Sequence, residues 1–593
     1  MGIPQLRRRL EHYAERATIE PCSVVVDGPA LAYHVLGLCS KAMRRTSPFE
    51  QPSYELLGRT AGAWLTRIRE CRLSISAIYF DSYLPSSKRP ERIQRLIKST
   101  RALIKYHSAY LAGVPKASLE HAFDAAVDLF PNTWPGQPKA QPPPPAFLVP
   151  AVIDALRDSS EFGHLVVLAP GEADGFCADH VRRNGGTVLT SDSDLLVHDL
   201  GEAGGVIFFT DIEAATEEHK LVAPQYRPWA LCERLSLKPD TGLQYLAFEI
   251  NRDPHLTLQK AIGRAKCSEA VSASRAEYAE FLAEYLSPEI ASQSDISQLE
   301  VLALDPRVSE LVLRSLQISE ITTPSSQNGN DNELEMYLPF LLDCPSRTSA
   351  WEASKPVRQI AYAFLQPIRG KVIRSVSEMR RLQSVSSGLQ VDVPPASEID
   401  GLGTCLLTLL SKIETGMGKP ELVWTVLSLY QDIVMAMERA RGHPISLELL
   451  GQDARGSLDT GSWDFVHLVA QVQGTFYSLR MLLQILDYSA HHGKPLSTAV
   501  SRLQRYLLRL PPLAGFPSPK DFAETLQSVR EAGGLACLKD LCAEYEDIFP
   551  QIDSLQKPQS TEKSKKRKAT ASAEHTPRPR SSNPFDLLAG NWE

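Results

Sequence analysis

Over residues 1–220, short apolar runs rich in β-branched residues alternate with longer stretches of helical spacing. Five runs predict strands: 23–27 (SVVVD), 75–81 (ISAIYFD), 164–168 (HLVVL), 187–190 (TVLT) and 206–209 (VIFF). Such near-continuous apolar runs suit parallel strands buried on both faces. Between them, residues 54–70 and 172–184 carry the 3.6-residue periodicity of amphipathic helices. The alternation predicts an α/β fold, a parallel sheet with helices on both faces.

Residues 131–150 (PNTWPGQPKAQPPPPAFLVP) break this pattern. The density of proline excludes helix and central strand, and a solvated polyproline-type insertion is expected, ahead of a docking site for a proline-binding partner. Beyond residue 220 strand signals fade, and 402–416, 420–441, 464–488 and 498–510 read as amphipathic helices whose Trp424, Met435 and Met437 are core residues. Residues 321–333 (ITTPSSQNGNDNE) read as a linker, and from residue 556 the chain becomes polar and basic, as a disordered tail does. The expected organisation is therefore an α/β domain over 1–255, a mostly α-helical region over 256–555 and a basic tail over 556–593.

Composition narrows the function classes. With 593 residues, 43% of them hydrophobic, the chain has material for more than one core and is neither fibrous nor disordered throughout. Lys plus Arg number 63 against 70 for Asp plus Glu, a formal net charge of -7. That balance excludes a protein that coats nucleic acid through its overall field; a polyanion would have to meet a local basic patch or bound cations. The 10 cysteines include no CxxC pair, so reduced thiols are expected rather than a zinc site. No run approaches the roughly 18 apolar residues of a membrane span, and the start MGIPQLRRR has no apolar signal core; a soluble intracellular protein is expected.

Carboxylates gather where the strands finish. Asp27 and Asp81 end the first two runs, Glu172 and Asp174 open the helix after the third (PGEAD), and Asp192 and Asp194 follow the fourth (SDSD). Each alone reads equally well as a helix N-cap. In a parallel sheet, however, the carboxyl ends of strands line one crevice, and six acids converging there repel unless cations neutralise them. Hard oxygen donors suit Mg²⁺ or Mn²⁺, and two ions about 4 Å apart suit phosphodiester hydrolysis.

The start MGIxxL, VVVD, FD followed by KRPERIQR, PGEAD and SDSD together resemble the flap endonuclease/XPG family of PIN-like nucleases, and with the long helical region most resemble its asteroid branch in a fungal-type form. The resemblance covers about residues 1–255. It implies that the six acids are metal ligands for two Mg²⁺ or Mn²⁺ ions, that Lys88 and Arg95 hold the scissile phosphate with Arg89 and Arg92 beside them, that Tyr33 stacks on a terminal base, and that Gly2 lies near the site. Taken alone, the four basic residues equally form a solvated helix face, and Tyr33 equally packs in a core.

The resemblance is incomplete. The family's seventh acid sits in a G-S/N-D-Y segment before a glycine-containing helical hairpin that grips duplex DNA; here Asp253 is the candidate seventh metal ligand, and neither glycine nor tyrosine accompanies it. Two readings follow. The first is a metal-dependent nuclease acting on DNA ends or single strands, in repair or processing. The second is a catalytically weak or inactive scaffold for RNA or protein partners of the helical region, in post-transcriptional regulation. Retention of all six acids favours the first, since unneutralised they only cost stability. The tail adds Lys563, Lys565, Lys566, Arg567 and Lys568 (KSKKRK), which reads as a nuclear import signal or a solvated basic run, and the terminal NPFDLLAGNWE reads as a segment that orders on a partner or on its own core.

Overall fold

The computed structural model describes residues 3–543 except 4, 46–50, 85–87, 116–125, 132, 135–139, 216–218, 267–274, 286–299, 318–333, 370–371, 382–387, 439–442, 452–457 and 493–494. Gly2, the 321–333 linker and the tail with Lys563, Lys565, Lys566, Arg567 and Lys568 lie outside the described residues. Eleven strands occur among those described: β1 (Glu15–Thr18), β2 (Ser23–Asp27), β3 (Ser74–Asp81), β4 (Val166–Ala169), β5 (Thr187–Thr190), β6 (Gly205–Phe208), β7 (Glu213–Ala214), β8 (Leu221–Gln225), β9 (Leu334–Tyr337), β10 (Ser375–Met379) and β11 (Leu389–Asp392).

The five strands expected from the sequence form the principal sheet, in the order β4-β3-β2-β5-β6 with every neighbouring pair parallel. Alternation along β2 shows how both faces are covered. Val24 and Val26 enter one apolar core with Leu31, Leu57 and Val152, from the helices Gly28–Met43, Tyr54–Glu70 and Leu148–Arg157. Val25 enters a second core with Val188, Val206, Cys177 and Leu246, the last two from the helices Ala173–Asn184 and Gly242–Arg252.

Strand structure does not end near residue 220 as expected. β8 pairs with β1 and β7, and β9, β10 and β11 build a separate three-stranded sheet inside the helical region. β10 (SVSEM) is buried through ion pairs rather than an apolar run. Glu378 takes the guanidinium of Arg358 in two bonds of 2.6 and 2.8 Å, while Arg380 and Arg381, just after the strand, pair with Glu352 and Asp343. Partners so far apart in sequence leave no local periodicity to read.

The four expected C-terminal helices are present as Ile399–Met417, Val423–Glu438, Trp463–His492 and Thr498–Leu507, and Trp424 is buried. The Trp463–His492 helix packs on the first half of the chain: Phe147 stacks on Tyr477 with centroids 4.7 Å apart, Arg480 bonds Asp154 at 3.0 Å, and Trp463 Nε1 donates to the Tyr110 carbonyl at 2.8 Å. One apolar core thus contains residues from Ile19 to Cys542 and passes across position 255.

The proline-rich stretch is less solvated than expected. Trp134 packs on His34 at 5.6 Å, and Pro143 is buried with its carbonyl accepting from the Gln51 side chain at 2.8 Å. Its last three residues, Leu148 to Pro150, are the first turn of the Leu148–Arg157 helix. Proline is compatible with that position because a first-turn N–H has no intrahelical partner. The nine described cysteines are free thiols, and no helix among the described residues is long and apolar enough to cross a membrane.

Candidate active site

The order β4-β3-β2-β5 sets four strand ends side by side, and the direction of the chain's progress across the sheet reverses between β2 and β5. Such a reversal opens a crevice at the carboxyl ends. Asp27 ends β2 in that crevice. Its Oδ2 accepts the Thr190 hydroxyl at 2.6 Å and its Oδ1 accepts the Ala30 N–H at 3.1 Å, so it also caps the Gly28–Met43 helix. An N-cap alone does not call for burial, yet Asp27 is only 3% exposed. The next position admits only glycine: a Cβ at position 28 would meet the Phe80 ring of β3 at 2.6 Å.

The other acids are fixed in turn. Asp81, at the end of β3, accepts the Ala173 N–H at 2.8 Å. Asp192 accepts the Asp194 N–H at 3.0 Å while its own N–H donates to Thr190 Oγ1 at 2.9 Å. Asp194 accepts the Ile3 N–H at 2.8 Å and the Tyr285 hydroxyl at 3.3 Å. Glu172 occupies the N-cap position of Ala173–Asn184 without capping it, and its carboxylate lies 3.5 Å from Lys88 Nζ. Asp174, in that helix's first turn, makes no hydrogen bond from its side chain among the described residues.

These carboxyls feel one another. Burial, reinforced by Asp81 and Asp192, pushes Asp27 up to about 7 against the hydrogen bonds from Thr190 and Ala30. Burial and Asp192 push Asp194 up to about 6. Asp174 is raised well above the carboxylate range, by burial first and then by Asp27, Asp192, Asp81 and Glu172. Two unit charges about 4 Å apart repel by about 4 kcal/mol at an effective dielectric of about 20, so an all-anionic site is costly without cations. Among the described residues no three acidic, His or Cys side chains already stand at metal-holding distance. The donor set nonetheless fits Mg²⁺ or Mn²⁺: hard carboxylate oxygens from four adjacent strand ends, with no donor to either Asp174 oxygen among the described residues.

Cations stand at the rim. Lys88 and the helix Arg89–Ala109 follow β3. Arg95 is exposed, and its charge together with that of Arg307 opposes the burial that raises Asp81. Arg307, in the helix Pro306–Gln317, had no sequence signal, because the intervening 200-odd residues hide its approach to Asp81. Two of the expected nucleic-acid contacts have partners within the protein. Arg92 is buried, bonds both carboxylate oxygens of Glu310 and lies 3.5 Å over the Tyr337 ring; Arg89 bonds Glu335 at 2.8 Å. Both instead fasten the Arg89–Ala109 helix to the second sheet and its neighbouring helix.

Tyr33 is 55% exposed on the Gly28–Met43 helix, free to offer its ring. Asp253 makes no hydrogen bond to any of the six acids among the described residues. It ends the Gly242–Arg252 helix, its Oδ1 accepts the His255 N–H at 3.1 Å, and its charge is not among the largest influences on any of them. A helical hairpin does follow, Gly242–Arg252 packing on Leu258–Lys266, but its turn lacks the family's glycine. Thr190 was missed despite a readable signal, its place two residues before Asp192.

Residues 144–393 match the model of the family described as XPG domain containing. The match spans less than half of the chain, includes Glu172, Asp174, Asp192 and Asp194, and runs past residue 255 through the second sheet. No curated protein matches the chain. The match supports an XPG-like, nuclease-type function and a nucleic-acid partner.

Proposed function

We propose that the chain is an Mg²⁺- or Mn²⁺-dependent nuclease that cleaves single-stranded DNA or DNA ends, in repair or processing within the nucleus. The observation that carries this reading is the convergence of six carboxylates at four adjacent strand ends, where burial and neighbouring acids raise the proton affinity of Asp27, Asp174 and Asp194. Asp27, Asp81, Glu172, Asp174, Asp192 and Asp194 would hold the ions, which when bound supply an activated water and neutralise the leaving oxygen. Thr190 and the Ala30 N–H keep Asp27 oriented. Lys88 and Arg95 stand where the charge of a phosphate would need balancing, and Tyr33 offers a π-face that any terminal base can use.

A single strand is favoured over duplex by a ridge on the Arg89–Ala109 helix. Arg95, Lys98, Arg101 and Lys105 are exposed, fall on one face and make no hydrogen bond or ion pair among the described residues. At 1.5 Å per residue the ridge runs about 15 Å away from Asp81, long enough for several phosphates of one strand. Reversing Lys98, Arg101 and Lys105 to glutamate is expected to leave thermal stability unchanged. The same variant should weaken binding of a labelled single-stranded oligonucleotide, and the slope of log K against log salt should flatten by about 2, three lost contacts at roughly 0.7 each. Unchanged affinity and slope would refute this track.

A further inference from the structure

The crevice is not open on every side. The helix Arg275–Ala283 lies on Gly242–Arg252 through a ladder of rings. Tyr278 stacks on Tyr245 at 4.5 Å and meets Phe248 at 5.3 Å, Phe281 meets Phe248 at 5.6 Å, and Tyr285 meets Phe281 at 4.9 Å and the edge of His198 at 5.3 Å. The ladder delivers the two residues after the helix into the site. The Tyr285 hydroxyl donates to Asp194 Oδ2 at 3.3 Å, and the Glu284 carboxylate lies 3.7 Å from Lys88 Nζ. Lys88 is thereby surrounded by Glu172 at 3.5 Å, Glu284 at 3.7 Å and Glu91 at 3.8 Å, and its side chain is only 16% exposed.

Glu172 and Glu91 are neighbours of Lys88 through the sheet end and the helix turn. Glu284 comes from about 200 residues away in sequence and has no such reason to be there. Its carboxylate has the charge and the oxygen donors of a phosphate, set against the cation assigned to a phosphate.

We propose that residues 275–285 form an internal substrate mimic: Glu284 occupies the phosphate position on Lys88 while Tyr285 anchors the segment on Asp194, and an incoming strand must displace it. This inference rests on the nuclease reading for the identity of what is mimicked. It implies a protein that binds short or isolated phosphates weakly and engages strands long enough to use the Arg95–Lys105 ridge as well.

The test uses the full chain with Glu284→Gln and Tyr285→Phe, each alone and together with Lys88→Ala. The first readout needs neither metal nor nucleic acid: the rate at which an amine-acylating reagent modifies Lys88, followed by mass spectrometry. The second is the Kd of a labelled single-stranded oligonucleotide in EDTA. Glu284→Gln is expected to raise the acylation rate and to tighten binding about two- to fivefold, the range of a partly exposed ion pair, with the gain vanishing when Lys88 is alanine. Unchanged acylation and affinity in Glu284→Gln, beside weaker binding in Lys88→Ala, would overturn the mimic and leave the nuclease reading standing. Faster acylation with no oligonucleotide bound by any variant would overturn the mimicry together with the nuclease reading.

Discussion

Asp174→Asn is expected to stabilise the metal-free protein and to abolish its response to divalent cations. Asp174 is a carboxyl with no protein donor among the described residues, raised by burial and by four other acids. A group whose folded pKa lies above its unfolded value favours the fold while protonated, below about pH 4, and loses that contribution as pH rises through the folded value. In EDTA the wild type should therefore melt at lower temperature as pH climbs from about 4 up to the 6 to 7 range where Asp194 and Asp27 lose their protons. Asparagine at 174 keeps the shape and removes one of the repelling charges. Its melting temperature should exceed the wild type's by a few degrees at about pH 8, and by less at about pH 5. Millimolar Mn²⁺ should raise the wild type's melting temperature and leave the variant's nearly unchanged. A variant less stable than wild type in EDTA, or equally stabilised by Mn²⁺, would mean that this carboxylate is held for structure and not for a cation.

Glu378→Leu should cause a loss of the opposite kind. Glu378 and Arg358 are completely buried, and Arg358 also donates to Ser354, Ser478 and the Trp351 carbonyl while Tyr362 donates to Glu378 at 2.8 Å. Removing one charge strands the other, at a cost of about 3–5 kcal/mol, a large part of the roughly 5–15 kcal/mol that holds a protein folded. Arg358→Met with Glu378→Leu removes both charges and should recover at least half of that loss, leaving hydroxyl groups and the Trp351 carbonyl to be satisfied while Arg380 keeps its pair with Glu352. Urea-unfolding midpoints of the two variants decide the matter, and a double variant no better than Glu378→Leu would contradict the argument. The network joins β10 of the second sheet to the helices Lys355–Ala363 and Trp463–His492.

The parallel sheet was legible because burial on both faces demands uninterrupted apolar strands, and Val24, Val25 and Val26 satisfy both cores from consecutive positions. The six acids were legible for a related reason: a strand end is a local feature, so Asp27, Asp81, Asp192 and Asp194 could be placed without knowing the strand order. What the strand order added was adjacency. Features that depend on distant partners were hidden. Arg92 reads as one more cation in KRPERIQR, and only the approach of Glu310, 218 residues on, makes it a buried clasp. Arg307, Glu284 and Tyr285 reach the crevice by the same kind of long return, and β10 is buried by ion pairs that no periodicity announces. The proline-rich stretch misled in its last turn because proline count says nothing about the N-terminal exception that admits Pro150 to a helix.

If the six carboxylates hold divalent cations for phosphodiester hydrolysis, activity must depend on both the acids and the metal. Its most direct measurement is cleavage of labelled single-stranded, overhang and flap DNA with Mg²⁺ or Mn²⁺, by the wild type beside Asp27→Ala and Asp192→Ala. Cleavage by the wild type is expected, abolished by EDTA and about a hundredfold or more slower in either variant, with single-stranded or end-containing substrates preferred. Equal cleavage by wild type and variants, or none by any of them, would contradict this reading.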